Sequence, residues 1–166
     1  MNVTGPSGIL MEGSAALNIG NGTGAGTVTA AGILGQAGTP TLNFDHTDAA
    51  YAFAPGIAGT VAVNHLGSGT TTLTGTDTYS GATTIGHGTL QAGSTGAFSL
   101  NSAYLLSSGA TLDLRGNSNT IGSLADGTGG GTVTNSGAAG ATLTPVMMTA
   151  ARLLAERSRT TGCDRG

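Results

Sequence analysis

The sequence predicts an all-β chain wound as a solenoid of stacked strands. Three observations carry that expectation: few charges with many small residues, short runs that alternate apolar and polar side chains, and a nearly constant spacing between those runs.

Of the 166 residues, 31 are Gly and 8% are charged, the formal charge is −3, and there is neither Trp nor Lys. Average globular chains have about a quarter charged residues and about 7% Gly. A Gly/Ser/Thr bias also suits disorder, but disorder comes with low hydrophobicity and high net charge, whereas hydrophobic residues here reach 38%. So few basic side chains leave no electrostatic footprint for nucleic acid. The only cysteine, Cys163, allows no internal disulfide and no CxxC metal site. The stretch "MNVTGPSGILMEGSAALNIG" lacks the basic segment and long apolar core of a signal peptide, and no window approaches the ~18 apolar residues of a membrane span.

The recurring unit is a glycine, one or more small residues, then Thr-Leu or Thr-Val. It appears as "GTPTLNF" at 38–44, "GTTTLTG" at 69–75, "GTLQAG" at 88–93, "GATLDL" at 109–114, "GTVT" at 131–134 and "GATLT" at 140–144. Within these pieces Ala110, Leu112 and Leu114 alternate with Thr111 and Asp113, the period of a half-buried strand. Threonine is β-branched and suits a pleated surface that faces water, so Thr is expected outward and Leu inward. Glycines and Asn/Asp/Ser clusters punctuate the pieces.

Spacing turns strands into coils. Leu90 to Leu112 is 22 residues and Leu112 to Val133 is 21, which predicts Leu90, Leu112 and Val133 stacked in one interior ladder with Leu114 beside them. Glycines take the corners that need positive φ, and stability comes from stacking of neighbouring turns. Leu73 to Leu90 is only 17 residues, so corner loops are expected to vary in length.

The segment "LNFDHTDAAYAFAPGIAGTVAVNHLGSGTTTLTGTDTYSGATTIGHGTLQAGSTGAF", residues 42–98, closely resembles the β-strand repeat of bacterial autotransporter passengers, whose pattern runs GxGTTxLTGxNTYxGxTTIxxGTLxxG. Gly67, Gly69, Thr70, Leu73, Thr74, Gly75, Thr78, Tyr79 and Gly81 meet its first half, with Asp77 where Asn is common. Thr83, Thr84, Ile85, Gly88, Thr89, Leu90 and Gly93 meet its second half. The resemblance covers 38–144 well and 1–37 only in composition. It implies a right-handed parallel β-helix stem, exported to the surface of a Gram-negative cell and followed by an outer-membrane β-barrel translocator that is not found in this sequence.

Residues 1–144 are therefore expected to form the stem segment, with the repeat matched best at 67–96, and 145–166 a tail outside it. Four of the five Arg lie in "PVMMTAARLLAERSRTTGCDRG". Thr144 as helix cap, Pro145 at the first helical position and apolar Met147, Ala151 and Leu154 predict a short helix, with a disordered tail as the alternative. The abrupt change also fits out-of-frame translation: codons for Met147-Met148-Thr149 read Asp-Asp from the third base, and the gene sequence across Thr144 tests this.

Candidate chemistry is thin, and no catalytic, cofactor-binding or metal-binding residue is assigned. The best titratable cluster is Asp45, His46 and Asp48, where Asp-x-x-Asp with a His between could touch a metal. Its plainer meaning is a polar loop after the Leu42/Phe44 strand. His65 and His87 are expected exposed at corners. Tyr51, Phe53, Tyr79, Phe98 and Tyr104 suit either an exposed platform for sugars or a cap on a slim core. No GxSxG, GxGxxG or GxxxxGK[ST] pattern occurs, and Asp77 is too isolated for a calcium nonapeptide array.

Three functions compete. A non-catalytic stem that supports export-coupled folding and presents an adhesin or other tip at the cell surface comes first. An adhesive module for glycan or protein, on a host or a neighbouring cell, comes second. A polysaccharide-degrading β-helix comes last, because such enzymes need convergent Asp, Arg or Lys and residues 1–144 hold one Arg and scattered carboxylates. Self-association through open solenoid ends is also expected.

Overall fold

The computed structural model describes residues 2–4 and 7–146, and the helix expected beyond Pro145 falls outside them apart from Val146. The described chain is a parallel β-solenoid of about 7 turns, without helices. The first coil has β1 (Asn2–Thr4), β2 (Ile9–Gly13) and β3 (Ala16–Thr23). The second has β4 (Thr27–Thr29), β5 (Gly32–Gly38) and β6 (Thr41–His46), and the third β7 (Tyr51–Phe53), β8 (Gly56–Gly59) and β9 (Ala62–His65). The fourth carries β10 (Thr70–Leu73) and β11 (Thr83–Ile85), and the fifth β12 (Thr89–Ala92) and β13 (Ala103–Leu106). The sixth carries β14 (Thr111–Asp113), β15 (Asn119–Ile121) and β16 (Ser123–Asp126), and the last β17 (Thr132–Thr134) and β18 (Leu143–Pro145).

Strands pair with their counterparts one coil away rather than with sequence neighbours. One face is the six-stranded sheet β16-β13-β11-β9-β6-β3, and a second is the five-stranded sheet β17-β14-β12-β10-β7. The third starts as β2-β5-β8 and ends as β15-β18. Between those parts the face is carried by single backbone bonds, Thr78 N–H to Ile57 O at 2.8 Å and Asp77 N–H to Gly96 O at 2.8 Å.

The expected ladder exists. Tyr51, Thr71, Leu90, Leu112 and Val133 occupy one register, at steps of 20, 19, 22 and 21 residues. Leu73 belongs to the neighbouring ladder with Phe53 and Ala92, so its 17-residue spacing to Leu90 compared positions that are not equivalent. Leu90, Leu112 and Leu114 are buried, and full burial of each Leu side chain contributes roughly 1.5–3 kcal/mol.

Several expectations are corrected. Val133 is 41% exposed, because β17 pairs only with β14 and nothing covers its other side among the described residues. Thr71 and Thr83 face inward and are fully buried, contrary to the outward rule. Phe53, Tyr79, Phe98 and Tyr104 lie in the core and Tyr51 is half-buried, so the aromatics form no exposed platform. Phe44 and Phe53 meet edge to face at 5.1 Å. Thr144 and Pro145 start no helix: they are strand residues in register with Thr120 and Ile121, and β18 lies at an edge, where a missing N–H is tolerated.

Glycine is needed where coils touch at corners. Gly59 has φ +77°, and a Cβ there would collide with the Gly35 carbonyl one coil below.

Because Leu112 is fully buried between Leu90 and Val133, Leu112→Asp should abolish the cooperative thermal transition seen by far-UV circular dichroism. Thr111→Asp, on the opposite side of the same strand, should leave the transition in place. Equal loss in both variants would contradict the inside and outside assignment.

Candidate functional site

Strand β6 runs through Asp45 and His46, so the polar loop expected here begins only at Thr47 and contains Asp48 alone of the cluster. Alternation along β6 puts Leu42, Phe44 and His46 inside and leaves Asp45 half-buried at the surface. His46 is fully buried, and so is His65, which is not an exposed corner residue because β9 alternates inward at Val63 and His65. His87 sits exposed at its corner as expected.

The two buried imidazoles meet at Thr71. His65 Nδ1 lies 2.8 Å from the His87 carbonyl, which only accepts, so Nδ1 carries the proton and Nε2 accepts from the Thr71 hydroxyl at 3.1 Å. The Thr71 oxygen then accepts from His46 Nε2–H at 2.7 Å, which leaves His46 Nδ1 as a lone pair without a hydrogen-bond partner. Asp48 Oδ2 is 3.9 Å from that nitrogen and is engaged by the Ala25 amide at 2.7 Å. Burial lowers the pKa of His46 against the opposing pull of Asp48 and Asp45. Burial also lowers His65, to about 4. Both rings are therefore neutral at pH 7, and their Nε2 atoms are occupied by one hydroxyl. Among the described residues no three His, Cys, Asp or Glu side chains converge closely enough to hold a metal ion.

A second polar island lies one coil on. Tyr79 Oη is 2.7 Å from Thr83 Oγ1 and 3.1 Å from Tyr104 Oη, and Thr83 Oγ1 is 2.8 Å from Ser102 Oγ. Ser99 Oγ donates to the Tyr79 carbonyl at 2.6 Å. The Tyr79 and Thr83 hydroxyls of "TYSGATT" are thus satisfied inside the core by each other and by Tyr104 and Ser102. Burial pushes Tyr79 up to about 12, so these groups are structural hydrogen-bonding partners rather than proton carriers at neutral pH.

Asp77 is the residue whose importance its isolation in the sequence concealed. It is 5% exposed, its Oδ1 accepts from the Ile57 amide at 2.8 Å, and its Oδ2 is buried without a partner. Asn119 performs the same task two coils further on, accepting from the Phe98 amide at 3.0 Å, but its Nδ2 also donates to the Ser94 and Asn117 carbonyls at 3.1 Å each. Burial pushes the Asp77 carboxyl up to about 7.

On the outer surface of the five-stranded sheet a polar row crosses three coils. Thr72 donates to Gln91 Oε1 at 2.9 Å and Gln91 Nε2 donates to Asp113 Oδ2 at 2.7 Å. Burial raises the pKa of Asp113, but hydrogen bonds from Ser136, Gln91 and the Ser136 and Arg115 amides outweigh it and hold the carboxyl below its ordinary value. Arg115, together with Thr72 and Gln91 of this row, borders a groove with Tyr51, Thr70 and Thr74.

The buried ionisable groups act on stability in opposite directions. Asp77 favours the fold below about pH 4, and that contribution is lost as pH rises through about 7. His65 favours it above about 6.5, and that contribution is lost as pH falls toward about 4. Asp77→Asn removes the buried charge and keeps an oxygen to accept from the Ile57 amide, so it should stabilise the protein at pH 8 by roughly 1–3 kcal/mol. The variant should then lose stability from pH 6.5 to 4 more steeply than the parent. Denaturant melts across pH check this, and no gain at pH 8 would exclude a strained carboxylate at Asp77.

No protein-family model and no solved structure matches the chain significantly. One curated protein that does match is the Adhesin BmaC autotransporter of Brucella suis biovar 1 (strain 1330), 37% identical over 123 residues, which is 74% of this chain and 4% of that protein. The chain thus spans a small fraction of the relative's length. Repeat pattern, parallel β-solenoid and this likeness together identify the chain as a passenger segment of the autotransporter family.

Proposed function

We propose that the chain is a non-catalytic stem within a surface-exposed autotransporter passenger, stacking coils that hold an adhesive tip away from the outer membrane and help draw the passenger out as they fold. The observation that carries this is the continuous core: stacked ladders fill the interior from Met11 to Ile121, and the polar side chains inside it are spent mainly on one another. Each coil can add to the one before it through local contacts, so folding proceeds vectorially as the chain emerges. The partner in the full-length protein is the outer-membrane translocator barrel, and the location is the cell surface.

A second function, an adhesive module, draws on the name of the relative and on the outer groove beside Thr70, Gln91 and Arg115. Hydrolysis is disfavoured because Asp77 and Asp113 are each engaged in separate structural hydrogen bonds, Asp77 with the Ile57 amide and Asp113 with Gln91, Arg115 and Ser136.

Residues 38–144 placed between a signal peptide and an autotransporter barrel should reach the cell surface, measured by protease accessibility on intact cells. Surface display well below that of a control passenger would count against the stem. Saturable binding of the purified chain to arrayed glycans or matrix proteins would favour the adhesive module instead.

A further inference from the structure

Strand β3 contains a defect that carries chemistry. Its register with β6 holds from Ala16 to Gly20, opposite Thr41 to Asp45, and resumes with Thr23 opposite His46. Asn21 and Gly22 are looped out between two consecutive partners, and both are exposed. Gly22 has φ +85° with open space where a Cβ would stand, so the bulge demands glycine at this position. Asn21-Gly22 is also the only Asn-Gly step in the sequence.

The Asn21 amide is held by its neighbour. Thr23 Oγ1 donates to Asn21 Oδ1 at 2.7 Å. Thr23 is itself anchored, because its carbonyl accepts from the Thr47 amide at 2.7 Å. Asn18, Gly20, Asn21 and Gly24 line a solvent-open hollow of about 250 Å³, room enough for water and for a tetrahedral centre.

We propose that Asn21 is a site of spontaneous deamidation, accelerated by Thr23. The Gly22 backbone nitrogen loses its proton to solvent base and attacks Asn21 Cγ. Negative charge builds on Oδ1, where the Thr23 hydroxyl stabilises it. The C–N bond to the amide nitrogen breaks and ammonia leaves with a proton, closing a succinimide. Water opens that ring at either carbonyl, giving aspartate or isoaspartate; one water is consumed and one ammonia released. Glycine favours the attack because no side chain obstructs its nitrogen. The product places a new carboxylate on the residue next to Gly20, the register partner of Asp45.

The test ages the purified chain in mildly alkaline buffer and maps peptides by mass, where conversion adds about one dalton. Asn21 should convert well ahead of Asn101, Asn117 and Asn135, each of which precedes Ser. Asn21→Gln should abolish the shift in that peptide. Thr23→Val keeps the β-branched shape without the hydroxyl and should slow conversion severalfold in the folded chain, while in denaturant it should match the parent. An intact Asn21, or conversion no faster than at the Asn-Ser steps, overturns the site; equal rates for Thr23→Val and the parent in the folded chain overturn the role of Thr23.

Discussion

Everything in this structure depends on coil-to-coil register. Backbone hydrogen bonds run between successive coils, so the neighbours of an inward side chain are the residues about one coil before and after it, as Leu112 has Leu90 and Val133. A polar residue placed in such a ladder finds apolar groups above and below. Thr71 stands between Tyr51 and Leu90, and Thr83 between Val63 and Tyr104. Each hydroxyl is satisfied largely across the interior, from the adjacent sides of the coil: Thr71 by His46 and His65, Thr83 by Tyr79 and Ser102. Inward polar residues consequently gather in small sets that satisfy most of their polar atoms, because an orphan in a dry interior is costly; His46 Nδ1 and Asp77 Oδ2 are the exceptions these sets leave.

That rule explains what was legible in the sequence. Leu90, Leu112 and Leu114 announce themselves by period and spacing, and so does the strand order. His46 and His65 were hidden, because hydrophobic pattern assigns polar residues outward, whereas their side is decided by parity with Phe44 and Val63. Exposed Leu10, Leu34 and Leu105 mislead in the opposite sense. Residues 1–37 offered only composition, although "GTVT" at 26–29 repeats the motif at 131–134 and forms β4. The strands around it are interrupted by Gly20, Gly22 and Gly35, which blur alternation without ending the sheet.

Asp77 and Asn119 show how little a repeat position needs to change. Both cap a backbone amide of the preceding coil through one oxygen. Their difference lies in the second atom, which donates twice in Asn119 and finds nothing in Asp77. A slim solenoid has few interior places where a carboxylate can be both desolvated and fully bonded. Asp113 meets that demand by lying on the outer side of its strand, where Gln91 and Ser136 surround it.

Departures from the ladder are confined to corners and bulges, and there the chain gains freedom. Arg115 has φ +45° and Gly116 φ +80°, in a two-residue turn closed by the Asn117 amide to the Leu114 carbonyl at 2.8 Å. Such turns favour Asn or Gly at the first central position, and Asp113 compensates by holding the Arg115 and Ser136 amides at 2.9 Å each. The sheets on either side are undisturbed, since β14 keeps its pairs with both β12 and β17. A coil can therefore change its corner without changing its neighbours' register. That separation lets one scaffold remain continuous along its axis while its edges diversify, as the proposed stem would require.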